Sequence, residues 1–198
     1  GSANYVVLDA EQSPAGIRFK LLTSDDALTV DGTIRVSEDE PEFLVTLSAS
    51  GEMLGELCFP RPFSTNRGDL LIMPVNEGIS YPVDDESLSA MRYYTYGGHG
   101  LCMGFWGFTD LRAGLMAIVE NADDAAVRVD RWYWNNGLLG LAPTWVPQKR
   151  QFGPERRLRF VLFDNGGYVA MCKRYREYAK SIGRFRALAE KRKTNPYV

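Results

Sequence analysis

Apolar and polar residues change places at every step in Ile17-Arg18-Phe19-Lys20-Leu21. That two-residue period is the mark of a strand with one face on a core. Phe43, Val45 and Leu47 alternate with Leu44, Thr46 and Ser48, and Thr33 to Val36 and Val127 to Val129 repeat the pattern. Leu70-Leu71-Ile72-Met73, closed by Pro74, and Leu115 to Val119 after Ala113-Gly114 are unbroken apolar runs. Met91 to Tyr96 is aromatic, and Leu158 to Phe163 is the last segment of this kind. Asp31-Gly32 has the chemistry of a tight hairpin turn. About a dozen strands at the 8–12-residue spacing of a sandwich or barrel are expected. No segment of helical period interrupts them, which argues against parallel βαβ units. The expectation is an all-β fold, an antiparallel β-sandwich.

The period changes after Phe163. Asp164-Asn165 supplies helix caps, and Gly166-Gly167 lets the chain turn. Tyr168, Met171, Cys172, Tyr175, Ala179 and Ile182 then recur three and four apart, an apolar stripe about four turns long. Lys173, Arg174, Arg176 and Lys180 fall mostly off that stripe, and Gly183 breaks the helix. A second helical segment, Arg184 to Lys193, sets Phe185, Leu188 and Ala189 on one side before Thr194-Asn195-Pro196 stops it. The division predicted is a sandwich over 1–165 and an amphipathic helical extension over 166–198. Asn195-Pro196-Tyr197-Val198 reads as a turn opening another strand, so the chain is expected to be the front part of a longer polypeptide.

Totals add little: 198 residues, 45% hydrophobic, 24% charged and a net charge of -2 describe an ordinary globular chain. The distribution of charge says more. Residues 1–147 hold 9 Lys and Arg against 21 Asp and Glu, whereas residues 148–198 hold 14 against 4. A basic tail suits nucleic acid, a solvated helix face, or docking on an acidic partner or on the chain's own acidic body. The tail carries no helix-turn-helix, zinc-finger or RNP signature, so nucleic acid is not expected. No apolar run approaches the ~20 residues that span a bilayer, so no membrane partner is expected. Cys58, Cys102 and Cys172 are few and far apart, and a single histidine, His99, leaves no structural metal site in view. No cofactor is expected.

Motifs for chemistry are sparse. No GxSxG, Walker loop or strand-borne GxGxxG is present. Gly97-Gly98-His99-Gly100 is a glycine-rich hairpin tip, and His99 there is a general base only if a carboxylate reaches it. Asp123-Asp124 and Asp84-Asp85-Glu86 are acidic runs in turns without EF-hand spacing. Glu77-Gly78, framed by Pro74 and Pro82, either projects an acid toward a pocket or is a plain surface turn. Phe105-Trp106-Gly107-Phe108-Thr109-Asp110, Arg131 to Asn136 and Trp145 crowd aromatics beside Asp, Asn and Arg. Such sets either pack a core or bind sugars, rings against the pyranose face and polar groups on hydroxyls.

Leu71 to Gly78, Phe105 to Asp110, Leu115 to Asn121, and the run from Gly167-Tyr168 through Tyr175-Arg176-Glu177-Tyr178 to Asn195-Pro196 together carry a resemblance. Over roughly 66–198 the chain resembles the N-terminal region of bacterial glycoside hydrolases akin to the alpha-N-acetylgalactosaminidases of family 129, themselves similar to family 101. The resemblance implies a galactose-mutarotase-like β-sandwich, joined by a helix to a C-terminal (β/α)8 barrel that holds the catalytic carboxylates. No catalytic residue is then expected here. The implied partners are that barrel and a carbohydrate of galactose or N-acetylgalactosamine type. Glu77, Trp106 and Asp110 are the candidate substrate-binding residues. The rival expectations are an autonomous carbohydrate-binding domain and a mutarotase-type epimerase working through His99.

Overall fold

The computed structural model describes residues 4–25, 27–96, 100–195 and 197. Among them stand twelve strands: β1 (Tyr5–Ser13), β2 (Gly16–Thr23), β3 (Thr29–Val36), β4 (Glu42–Ser48), β5 (Leu70–Met73), β6 (Ile79–Pro82), β7 (Met91–Tyr94), β8 (Phe105–Thr109), β9 (Gly114–Val119), β10 (Ala125–Arg131), β11 (Leu139–Trp145) and β12 (Arg156–Phe163). Two helices follow, α1 (Gly167–Ser181) and α2 (Leu188–Thr194). Nine strands form one sheet in the order β1-β2-β3-β4-β12-β9-β8-β5-β6, and three form a second, β11-β10-β7. Every pairing is antiparallel. The fold is the antiparallel β-sandwich with C-terminal helices that the periodicity implies.

One expected turn is not a turn. Asp31-Gly32 lies inside β3, with Gly32 opposite Phe19 on β2 and Leu47 on β4. A Cβ on Gly32 would stand 2.1 Å from the Phe19 ring, so the glycine leaves room for an aromatic laid across the strand. Turn chemistry and close backbone approach both select glycine, and the sequence does not separate them.

The large sheet is buried on both faces around its centre, and strand alternation sorts the residues. Leu71, Met73, Trp106, Leu115, Ala117, Val119, Leu158 and Phe160 face the small sheet and meet Val127, Val129, Leu139, Leu141 and Trp145 from it. Ile72, Phe105, Met116, Ile118 and Val161 face the other way and are roofed by α1. Double coverage explains why β5 and β9 read as unbroken apolar runs rather than alternating ones.

The helix docks through a narrower face than its stripe suggests. Met171 is fully buried, Tyr175 and Tyr178 pack partly buried against the same cluster, and Tyr168, Cys172 and Ile182 are exposed. The socket for Met171 is built from glycines: a Cβ on Gly107 would come 2.9 Å from its sulfur, and one on Gly114 3.0 Å from its methyl. The Tyr175 ring lies 5.0 Å from Phe105, and its hydroxyl accepts the Gly104 N–H at 3.0 Å. The N-cap is Gly166 in a left-handed conformation (φ 96°), without a side-chain cap, and Asn165 Oδ1 accepts the Gly166 N–H instead. The second helix starts later than its apolar spacing implies, and Phe185 and Leu188 stay exposed.

Part of the basic tail is used on the acidic body. Glu42 on β4, 8% exposed, takes Arg159 of β12 and Arg174 of α1, the latter at 2.6 Å. Glu120, just past β9, takes Arg159 at 2.8 Å and Arg157 at 2.7 Å. Burial pushes the Glu42 carboxyl up, but hydrogen bonds and charge from Arg174 and Arg159 outweigh it and hold it below its ordinary range. Arg174 therefore ties α1 to the sheet.

Candidate functional site

The three candidate residues are not brought together. Trp106 is 3% exposed and belongs to the core between the sheets, so it offers no ring face to a ligand. This corrects its assignment as a substrate contact: strand alternation turns Trp106 inward, where β8 lies over the small sheet. Asp110 sits in the β8–β9 turn, where its Oδ1 accepts the Arg112 N–H at 2.8 Å, the usual work of a turn aspartate. Glu77 is exposed in the β5–β6 turn. Because β5 and β8 run antiparallel with Leu70 opposite Thr109, the Glu77 and Asp110 turns lie at opposite ends of that strand pair. Trp145 is core as well, 1% exposed, its Nε1 donating to the Phe59 carbonyl at 2.9 Å. His99, Gly97 and Gly98 lie outside the described residues.

Glu77 does border a groove. About 510 Å³ is enclosed by Ile72, Pro74, Ile79, Met103, Leu111 and Tyr168 with Glu77 and Cys172, alongside the N-terminal end of α1. Its lining is mostly apolar.

A second cleft, also of about 510 Å³, lies on the outer face of the small sheet. Arg128 of β10 and Thr144 of β11 belong to its floor: position 128 pairs with Ala142, and position 144 with Ala126. One wall is the segment after β4, with Glu56, Cys58, Arg61 and Pro62; the other is Trp132, Tyr133 and Trp134, in the loop after β10. Both walls are anchored. Leu57 and Trp145 exchange backbone hydrogen bonds of 3.0 and 2.8 Å, which pins the first wall to β11. Buried Asn135 accepts the Thr65 N–H at 3.0 Å and donates to its hydroxyl at 2.9 Å, which holds the aromatic loop to the same segment. The Asn4 amide donates to the Glu56 carbonyl and accepts from the Cys58 N–H.

The charges in the cleft are unevenly matched. Glu56 is ion-paired with Arg92, and Arg128 with Asp130. The Arg128 guanidinium also lies over the Trp132 ring, 5.6 Å from its centre. Arg61 has no carboxylate partner among the described residues; it acts on the Tyr5 hydroxyl, whose pKa burial raises and Arg61 partly lowers. Burial pushes the Cys58 thiol up, which disfavours a reactive thiolate. Trp132 is 7% exposed, and its indole N–H is buried with no acceptor among the described residues. Tyr133 is 89% exposed and Trp134 36%. The sequence signalled this loop through Arg131 to Asn136, but not the opposite wall, which comes from about 70 residues earlier. No group of three or more His, Cys, Asp and Glu among the described residues is arranged to hold a metal ion.

No protein-family model and no curated protein matches the chain. Solved structures do match in fold. The alpha-N-acetylgalactosaminidase NagBb from Bifidobacterium bifidum, ligand free, aligns at TM-score 0.76 and 19% identity over 99% of this chain and 33% of that chain. Its GalNAc complex aligns at TM-score 0.78 and 18% identity, with the same two coverages. The chain therefore has the fold of the part of NagBb that it aligns with. It spans about a third of the length of these NagBb chains. At such identity the likeness is one of fold, as the resemblance in the sequence implied.

Proposed function

We propose that this chain is the non-catalytic β-sandwich unit of a glycoside hydrolase, supporting a (β/α)8 barrel that lies outside it. The observation that carries this reading is the coverage: nearly all of this chain aligns with only a third of NagBb. The proposed division is a sandwich over 1–165 and a helical connector over 166–198. Two features support it. Among the described residues one carboxylate lines the aromatic cleft, Glu56, and it is committed to Arg92, whereas glycoside hydrolysis needs two carboxyl groups about 5–10 Å apart flanking the bond. The groove holding Glu77 lies beside the N-terminal end of α1 and is also lined by Leu111, next to Asp110, so the turns carrying both candidate acids border the connector. The test is hydrolysis of aryl α-N-acetylgalactosaminides and α-galactosides. The 198-residue chain should give no release above buffer, and the longer polypeptide that carries it should turn them over. Turnover by the chain alone overturns the proposal.

A second reading, direct carbohydrate binding by this unit, is favoured by the aromatic cleft. Tyr133, Trp134, Arg61 and Arg128 set ring faces beside charged donors, the pairing that sugar recognition uses.

A further inference from the structure

Three features of the cleft point beyond sugar binding in general. First, an aromatic loop is fixed by a buried asparagine yet leaves Tyr133 nearly bare in solvent. Holding an exposed ring on an anchored loop favours a contact surface over a packing role. Second, a buried indole N–H, on Trp132, lacks an acceptor among the described residues, and a buried donor gains when an oxygen satisfies it. Third, the arginines bearing on the cleft outnumber its acids. Arg92 and Arg128 face each other across β7 and β10, each balanced by one carboxylate, Glu56 and Asp130. Arg61, exposed on the wall, touches the Tyr5 hydroxyl but has no carboxylate partner among the described residues. A planar guanidinium in that position matches a planar or tetrahedral oxyanion through paired hydrogen bonds.

We propose that this cleft binds an anionic sugar, a glycan residue bearing a carboxylate or a sulfate ester, with Tyr133 and Trp134 against the sugar ring and Arg61 on the anion. The proposal rests on the carbohydrate-binding reading above and narrows its ligand class.

The test is titration of the 198-residue chain, by tryptophan fluorescence and calorimetry, with sialyllactose, sulfated lactose and lactose. The expected result is binding of at least one anionic glycan about tenfold tighter than lactose, equivalent to 1.4 kcal/mol; whichever arm responds identifies the anion. Arg61→Gln should abolish the preference, leaving the anionic glycans and lactose equal in affinity. Tyr133→Ala should weaken all arms. Both residues are exposed, and a thermal melt confirms that each variant folds. Equal affinity for lactose and the anionic glycans, or a preference that survives Arg61→Gln, overturns the proposal while leaving sugar binding standing. No response in any arm up to ~10 mM overturns both.

Discussion

Met171→Ala tests how the helix is held. The side chain is fully buried between α1 and the outer face of β8 and β9. Burial of a methionine contributes about 1.5–3 kcal/mol, and truncation to alanine in a packed site costs about 2–5 kcal/mol. A surface helix settles into a void more easily than a core strand does. Here settling is limited, because Tyr175 packs at a tilt against Phe105 and is bonded to the Gly104 N–H. The lower middle of the range, ~3 kcal/mol, follows. That penalty falls on docking of α1, since the sandwich between the two sheets has its own core. In native-state hydrogen exchange the α1 amides should lose roughly a hundredfold of protection, while those of β4 and β10 keep theirs. Protection in α1 within ~3-fold of wild type would refute the socket as its anchor. Equal loss throughout the sandwich would refute the separation of the two cores.

Gly107→Ala probes the same contact from the sheet side: its Cβ would stand 2.5 Å from the Leu115 carbonyl oxygen and 2.9 Å from the Met171 sulfur. It should destabilise by about 1–3 kcal/mol, as overpacking does, with α1 exchanging first. Glu42, its pKa lowered by Arg174 and Arg159, contributes stability that is present above the ordinary value of 4.5 and lost as pH falls through the depressed folded value. A pH series of urea melts should therefore show a loss below pH 4.5 that Glu42→Gln flattens, at the expense of stability at neutral pH. Asn135→Ala removes both bonds to Thr65 and should cost about 2–3 kcal/mol while loosening the aromatic loop, read by Trp fluorescence and melting temperature. Trp145→Phe leaves the Phe59 carbonyl unpaired in the core and should lower the denaturation midpoint by more than any exposed aromatic substitution, Tyr133→Ala included.

The strands were legible because burial of one or both faces writes a period into the chain, as at Phe43 to Leu47 and Leu115 to Val119. The helix was legible for the same reason, and its breaker Gly183 does adopt φ 70°. What failed were residues whose chemistry suits two environments. Asp31-Gly32 has turn composition but sits mid-strand under Phe19, and Trp106, as fit for a core as for a sugar, is buried in the core. The stripe on α1 was read too wide because a helix resting on a flat sheet touches it along one line, through Met171, Tyr175 and Tyr178.

By itself, then, the sequence determined the all-β character, the switch to helix after Phe163 and the split between acidic body and basic tail, all of which depend on neighbours in the chain. The tertiary structure alone decided that Arg174 of the tail would meet Glu42 of the body, and that Arg61 would face Tyr133 across a cleft. Those partners lie 132 residues apart in the first case and on opposite walls built from different segments in the second. Sheet order and register set such distances, and no local period records them.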